Sequence, residues 1–180
     1  MEGIIRVLSK RSLRRVDILK ILVTVGSMQG RSFKRLFNII DELCNEGVIK
    51  GEDLVAQTGF DNYQSEFYKT FDLIGDEQFK KIISEVDVVI SHAGTGTVTS
   101  SLKAGKKVIL FPRLSKYEEH YDDHQLELCE LFVDNGCALC AKDKEELRNC
   151  ILHIDEFKPQ KFVSNKDNFN RLVIDFIESF

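Results

Sequence analysis

The 180-residue chain lacks most of the features that classify a protein at a glance. No apolar run is long enough for a membrane-spanning helix or a secretory leader. No G-x-G-x-x-G follows the first apolar run and no G-x-x-x-x-G-K-[S/T] occurs, so the dinucleotide and P-loop fingerprints are both missing. A serine-hydrolase G-x-S-x-G elbow is absent too. Repeats and low-complexity stretches are lacking, and proline occurs only at Pro112 and Pro159. The net charge of −4 is small, which argues against general nucleic-acid binding. The five cysteines (Cys44, Cys129, Cys137, Cys140 and Cys150) are odd in number and scattered, which fits a reduced, cytosolic setting better than a disulfide framework. Cys137 and Cys140 form a single C-x-x-C inside an apolar strand-like run. Residues three apart on a strand face opposite sides, so core cysteines are expected there.

What is present is a regular alternation. Apolar runs at 18–25, 54–57, 71–74, 87–91, 107–111 and 137–141 read as strands. Helical spacing recurs over about 32–46, 76–85, 97–104, 122–134, 143–153 and 168–179, with Gly47 and Gly105 as stops. Residues 58–70 read as a loop. An apolar fraction of 43% suffices for one sizeable core. The pattern predicts a doubly wound α/β domain with a mainly parallel sheet over 18–180, preceded by a basic extension at 1–17. That extension carries Arg6, Lys10, Arg11, Arg14 and Arg15 against Glu2 and Asp17. It reads either as a plain tail or as a contact for an anionic surface.

Ligands of such sheets bind outside the carboxyl ends of the strands. The sequence there is most distinctive at Asp87-Val-Val-Ile-Ser91-His92-Ala-Gly94-Thr95-Gly96-Thr97. A buried strand runs into a turn whose glycines allow close approach, then into a helix start. Thr95 or Thr97 is the expected helix cap, and the free N–H groups of the first turn suit a phosphate. The loop Gly26-Ser27-Met28-Gln29-Gly30 and the segment from Arg113 to Gln125 share the same edge. His120 and His124 lie four apart, but without a zinc-protease glutamate they read more simply beside a helix cap at Asp122 or Asp123 than as metal ligands.

One ordered pattern joins these pieces. Ser91-His-Ala-Gly-Thr-Gly-Thr97, then Leu102-x-x-Gly105-Lys106, Pro112, Asp123-His124-Gln125-Leu126-Glu127-Leu128 and Gly136 resembles the C-terminal domain of glycosyltransferase family 28. Val23-Thr-Val-Gly-Ser27, Phe33-x-Arg35-Leu36 and Glu119-His120-x-Asp122-Asp123-His124 are similar to its single-domain, PssE-type branch of capsule and exopolysaccharide synthesis. The catalytic subunit of the eukaryotic dolichol-linked N-acetylglucosaminyltransferase is of the same kind.

The resemblance implies the donor-binding, Rossmann-like half of a GT-B enzyme. The donor would be a UDP-sugar and the transferred unit a hexose, galactose or a relative, in β-1,4 linkage. The acceptor, a lipid-linked saccharide, would be held by a membrane-anchored PssD-like subunit, which would keep this chain on the cytoplasmic face. No cofactor and no metal is implied, and nucleic acid is not a partner. The chain is too short for both halves of such a cleft, so low activity alone is expected. A nucleotide-sugar-binding module without catalysis of its own is the alternative.

Carried over residue by residue, Gly26, Ser27, Ser91, Gly94, Thr95, Gly96, Thr97, Arg113 and Gln125 would bind the donor. His92 and His124 would be the catalytic candidates. His92 reads equally as a structural histidine fixing the turn, and Arg113 as an exposed loop arginine. The chain departs from the pattern twice. Ser100 stands where many members carry a ribose-binding glutamate, and Ser27-Met28 stands where the branch often carries Thr-His.

Overall fold

The β-branched and aliphatic runs become six short parallel strands in a computed structural model, which describes residues 19–162. They are β1 (Ile21–Thr24), β2 (Leu54–Gln57), β3 (Lys69–Phe71), β4 (Val88–Ser91), β5 (Lys107–Leu110) and β6 (Leu139–Cys140). Five helices alternate with them: α1 (Lys34–Asn45), α2 (Asp76–Glu85), α3 (Thr95–Lys103), α4 (His124–Asp134) and α5 (Lys144–Leu152). The spatial order is β3-β2-β1-β4-β5-β6, every pair parallel. The expected doubly wound sheet is therefore present. The basic extension at 1–17 and the predicted last helix at 168–179 lie outside the described residues.

The strand alternation of period two sorts the layers. Ile21 and Val23 of β1, Val88 and Ile90 of β4 and Ile109 of β5 face α1 (Leu36, Phe37, Ile40, Leu43) and α5 (Leu147, Ile151). On the other face, Leu22 and Val89 pack on Ile83 of α2, while Val108 and Leu110 meet Val98 and Leu102 of α3 and Cys129 and Phe132 of α4. All four residues of β1 and of β4 are buried, as strands covered on both faces require. Each such aliphatic side chain contributes roughly 1.5–3 kcal/mol by leaving water.

Local signals explain the helix ends, with one correction there and one at the third strand. Gly47 closes α1 at φ +72°, and its N–H donates to the Cys44 carbonyl. Asp143, at the start of the 143–153 stripe, caps α5, accepting from the Glu146 N–H at 2.9 Å. Asp76, which by residue type suits the cap of the 76–85 stripe, sits instead in the first turn of α2 behind an N-cap at Gly75. The third strand falls at 69–71 instead of 71–74, because Val55, Ala56 and Gln57 pair with Lys69, Thr70 and Phe71. Residues 58–68 are an ordered cover for α1: Tyr63 stacks on Phe37 and donates to Asp41, as does Ser65.

The sheet order reverses between β1 and β4. That switch point puts a crevice beyond the carboxyl ends of the two strands. The turns leaving β1, β4 and β5 all open onto it.

Candidate functional site

At the end of β4 the backbone tightens at once. The His92 N–H still reaches across to the Thr24 carbonyl (3.2 Å), and the Gly94 N–H donates to the His92 carbonyl (2.6 Å). Ser91 is fully buried, and its hydroxyl donates to that same carbonyl at 2.7 Å, so it holds the turn. α3 begins at Thr95, two residues earlier than the sequence suggests. Its N-cap is Gly94, with no side chain bonded to the first turn, and neither Thr95 nor Thr97 caps it. The threonines instead accept through their carbonyls, from the hydroxyls of Thr99 and Ser101.

The first N–H of α3 to find a carbonyl within the turn is that of Val98, on Gly94 at 3.2 Å. The N–H groups of Thr95, Gly96 and Thr97 have none to reach inside the helix. Thr95 and Gly96 are exposed, and a Cβ on Gly96 would meet nothing within 4 Å. Three outward donors at the positive end of a nine-residue helix make a ready place for an anion. Ser100 is exposed on the same helix.

His92 is wedged between two glycines. A Cβ on Gly26 would lie 2.5 Å from its Cε1, and one on Gly94 2.8 Å from the same atom and nearer still to Nε2. Gly26 also needs its φ of +71°, and a Cβ on Gly59 would strike the Gly26 carbonyl at 2.6 Å. These glycines bring the turns after β1, β2 and β4 into backbone contact around one imidazole. Its Nδ1 is buried without a hydrogen-bond partner. Burial, reinforced by the positive charge of Arg113, pushes the His92 pKa down to about 4. The ring is neutral at physiological pH and is a weak base there.

The segment after β5 is built differently. Arg113 is only 1% exposed, so it is not the exposed loop arginine of one sequence reading. Its guanidinium donates to the carbonyls of Val25 (3.1 Å), Arg31 (3.1 Å) and Glu119 (3.3 Å) and lies over the Phe33 ring. Its backbone N–H donates to the buried Gln125 side chain at 2.9 Å. Both residues thus tie loops together instead of presenting their polar groups to the crevice. Behind them Glu119, 3% exposed, takes a two-pronged contact from Arg35 (2.7 and 2.8 Å) and a bond from the Leu114 N–H. Arg35 donates further to the Pro112 and Lys142 carbonyls. Arg35 and Glu119 matter to the site's frame, and the sequence reading gave them no role there. The available signal was an arginine set among the apolar stripe of α1, next to Leu36.

The remaining site residues sit at the rim. Ser27 is exposed in the turn after β1. Asp123 is the N-cap position of α4, but its carboxylate accepts from the Ser115 N–H (2.8 Å) instead of capping the helix. Asp122 accepts from the His124 N–H at 3.2 Å, and its Oδ1 contacts Nδ1 of both His124 and His120. The exposed contacts with His124 hold the Asp122 carboxyl below its usual range. His124 is exposed at the start of α4, whereas His120 is half-buried.

A cavity of 490 Å³ lies at the opposite, amino edge of the sheet, against Ile21, Val88, Ile109, Ile49 and Ile151. Its lining is aliphatic, and two of its charges, Glu46 and Arg148, already pair with each other. The carboxyl edge carries the polar chemistry.

Comparison with known proteins bears on that edge. The model of the glycosyltransferase family 28 C-terminal domain matches residues 20–178. The UDP-N-acetylglucosamine transferase subunit ALG13 of Debaryomyces hansenii is 30% identical over 117 residues, covering 61% of this chain and 50% of the relative. The UDP-N-acetylglucosamine–N-acetylmuramyl-(pentapeptide) pyrophosphoryl-undecaprenol N-acetylglucosamine transferase of Desulfotalea psychrophila is 30% identical over 142 residues, 69% of this chain and 35% of its own length. The chain thus spans half or less of these relatives. In three dimensions it superposes on the solution structure of ALG13 with a TM-score of 0.57 and 21% identity, covering 86% of this chain and 94% of that one. It superposes on the kitacinnamycin glycosyltransferase with a TM-score of 0.54 and 18% identity, covering 83% and 38%. These likenesses show the fold, a Rossmann-like parallel sheet shared with glycosyltransferase structures. By the match over residues 20–178, the chain belongs to the glycosyltransferase family 28 C-terminal domain family.

Proposed function

We propose that this chain is the donor-binding part of a UDP-sugar-dependent glycosyltransferase, acting with a separate acceptor-binding subunit. The observation that carries the reading is the exposed amino end of α3. Its three free N–H groups stand at the switch point of a family 28 sheet.

The chemistry follows from that end. Breaking the bond between sugar and diphosphate leaves negative charge on the departing UDP. The N–H groups of Thr95, Gly96 and Thr97 are fixed before the reaction and aimed where that charge grows, so they stabilise it without reorganising. Ser91 and the glycines Gly26 and Gly94 serve by shaping the turn. Arg113 and Gln125 fix the β5–α4 segment against it. His92 is a neutral wedge between the turns, which makes it a positioning group and a poor proton store. His124, exposed and contacting Asp122, is the group suited to the sugar hydroxyls. The base that deprotonates the acceptor would then come from the opposing subunit.

The finer assignments are proposals of the same kind. The PssE-type pattern favours transfer of galactose in β-1,4 linkage to a lipid-linked saccharide of capsule synthesis. The membrane-anchored partner would be PssD-like and would hold this chain at the inner membrane face. The names of the relatives favour N-acetylglucosamine as the sugar instead, and the word subunit in one of them supports a two-part enzyme. Among the described residues no helix is long and apolar enough to cross a membrane. The test is a transfer assay with radiolabelled UDP-galactose and UDP-N-acetylglucosamine on lipid-linked acceptor, with the chain alone and with its membrane-anchored partner. Transfer of one sugar only when both chains are present is expected. No transfer from any UDP-hexose by the pair would overturn the reading.

A further inference from the structure

The rim of the crevice carries a cluster of which the donor reading uses only His124. His120, Asp122 and His124 stand two residues apart in turn, and their ligating atoms all lie within 4.8 Å of one another. Nδ1 of His120 lies 3.1 Å from Asp122 Oδ1, and Nδ1 of His124 also meets that oxygen. The two imidazole rings pack edge to face with centroids 4.6 Å apart. Two nitrogens and one carboxylate oxygen therefore lie close together. Tetrahedral sites with metal–ligand bonds of about 2.0–2.2 Å hold their donor atoms roughly 3.3–3.5 Å apart, so small side-chain rotations suffice.

The segment that presents these groups is held from several sides. Asp123 fixes the Ser115 N–H, Glu119 the Leu114 N–H, and Arg31 the Glu118 carbonyl. Glu118 itself adopts a left-handed φ of +58°, which turns the chain sharply before His120. The His120 side chain is only 10% exposed and touches the Tyr121 ring on one side and His124 on the other. Ordering the ligands beforehand lowers the conformational cost of closing on an ion.

We infer that His120, Asp122 and His124 form a three-ligand site for a first-row transition-metal dication such as Zn²⁺. Two imidazoles and one carboxylate favour that class over Mg²⁺ or Ca²⁺, which prefer oxygen-only ligands. Three protein ligands leave a fourth position open. The site does not depend on the donor reading, because its ligands stand together at the rim whatever the crevice binds. If that reading also holds, a bound ion would take His124 from the sugar, and Zn²⁺ would inhibit transfer.

The test is a titration of the purified, metal-free full chain with Co²⁺ alone, followed by displacement with Zn²⁺. The expected result is one equivalent bound with a visible tetrahedral band, no sulfur-to-cobalt charge-transfer band, and loss of the band on adding Zn²⁺. His124→Ala and Asp122→Asn alter exposed side chains, and each should weaken binding by more than the roughly 10–100-fold typical of losing an outer-sphere partner. His120→Asn should do the same with its circular dichroism unchanged. The proposal is overturned if no band forms at millimolar Co²⁺, if these variants bind as the parent does, or if a thiolate band appears and disappears in Cys129→Ala and Cys140→Ala.

Discussion

The two segments that wall the crevice reach rigidity by opposite means. The β4–α3 turn is held by small residues and backbone. Gly26 and Gly94 lie close against the His92 ring, and the helix donors are left facing outward. The β5–α4 segment is held by long charged side chains turned inward. Arg113, Glu119 and Arg35 spend their groups on carbonyls, N–H groups and each other. The difference is instructive because the more basic segment is not the one suited to the anion. A buried guanidinium whose terminal nitrogens are engaged by carbonyls turns its charge inward, whereas an uncapped helix start has three outward donors and needs no side chain.

Four changes would break or sharpen that contrast. The largest effect should come from the ionic wall. Glu119→Ala leaves Arg35 and the Leu114 N–H without their partner in a nearly dry place, and should cost about 3–5 kcal/mol in urea unfolding. Next is the imidazole. Unfolded His92 takes up a proton below about pH 6.5 and the folded ring only below about 4. Between those values unfolding binds a proton, so stability is full above pH 6.5 and falls as pH drops through the window. The loss reaches roughly 3 kcal/mol at pH 4. His92→Gln should flatten that part of the stability profile.

Third, Gly94→Ala forces a methyl into His92, and Gly26 blocks the ring's retreat on the other side. The overpacking should cost about 1–3 kcal/mol and weaken UDP binding by calorimetry. Gly94→Ala combined with His92→Ala should recover most of the stability. The smallest is Gly96→Ala. Its Cβ would enter open space in a helical turn, so thermal unfolding should show a gain of about 0.5 kcal/mol, while UDP affinity falls if phosphate packs there.

This contrast also marks what the sequence could reveal. The parallel sheet was legible because β-branched runs such as Val88-Val-Ile90 alternate with helical stripes such as that of α1. The turn at Gly94-Thr-Gly96 was legible because glycine beside a helix start has few other uses. The cap is less legible, because threonine's preference for that place competes with a glycine already able to adopt it. Arg113 was harder to read. Whether an arginine faces a ligand or three carbonyls depends on loops from β1 and β5 meeting in space, and no local spacing encodes that. The same holds for the third strand. Its position was set by pairing with β2, not by its own weak apolar content.

The central claim is that the amino end of α3 is the diphosphate site. Titrating UDP into the ¹⁵N-labelled chain tests it most directly. The account predicts saturable shifts concentrated at the amides of Thr95, Gly96 and Thr97, with smaller ones at Gly26 and His92. Absence of shifts at millimolar UDP, or shifts confined to Ile21, Ile49 and Ile151 around the amino-edge cavity, would contradict it.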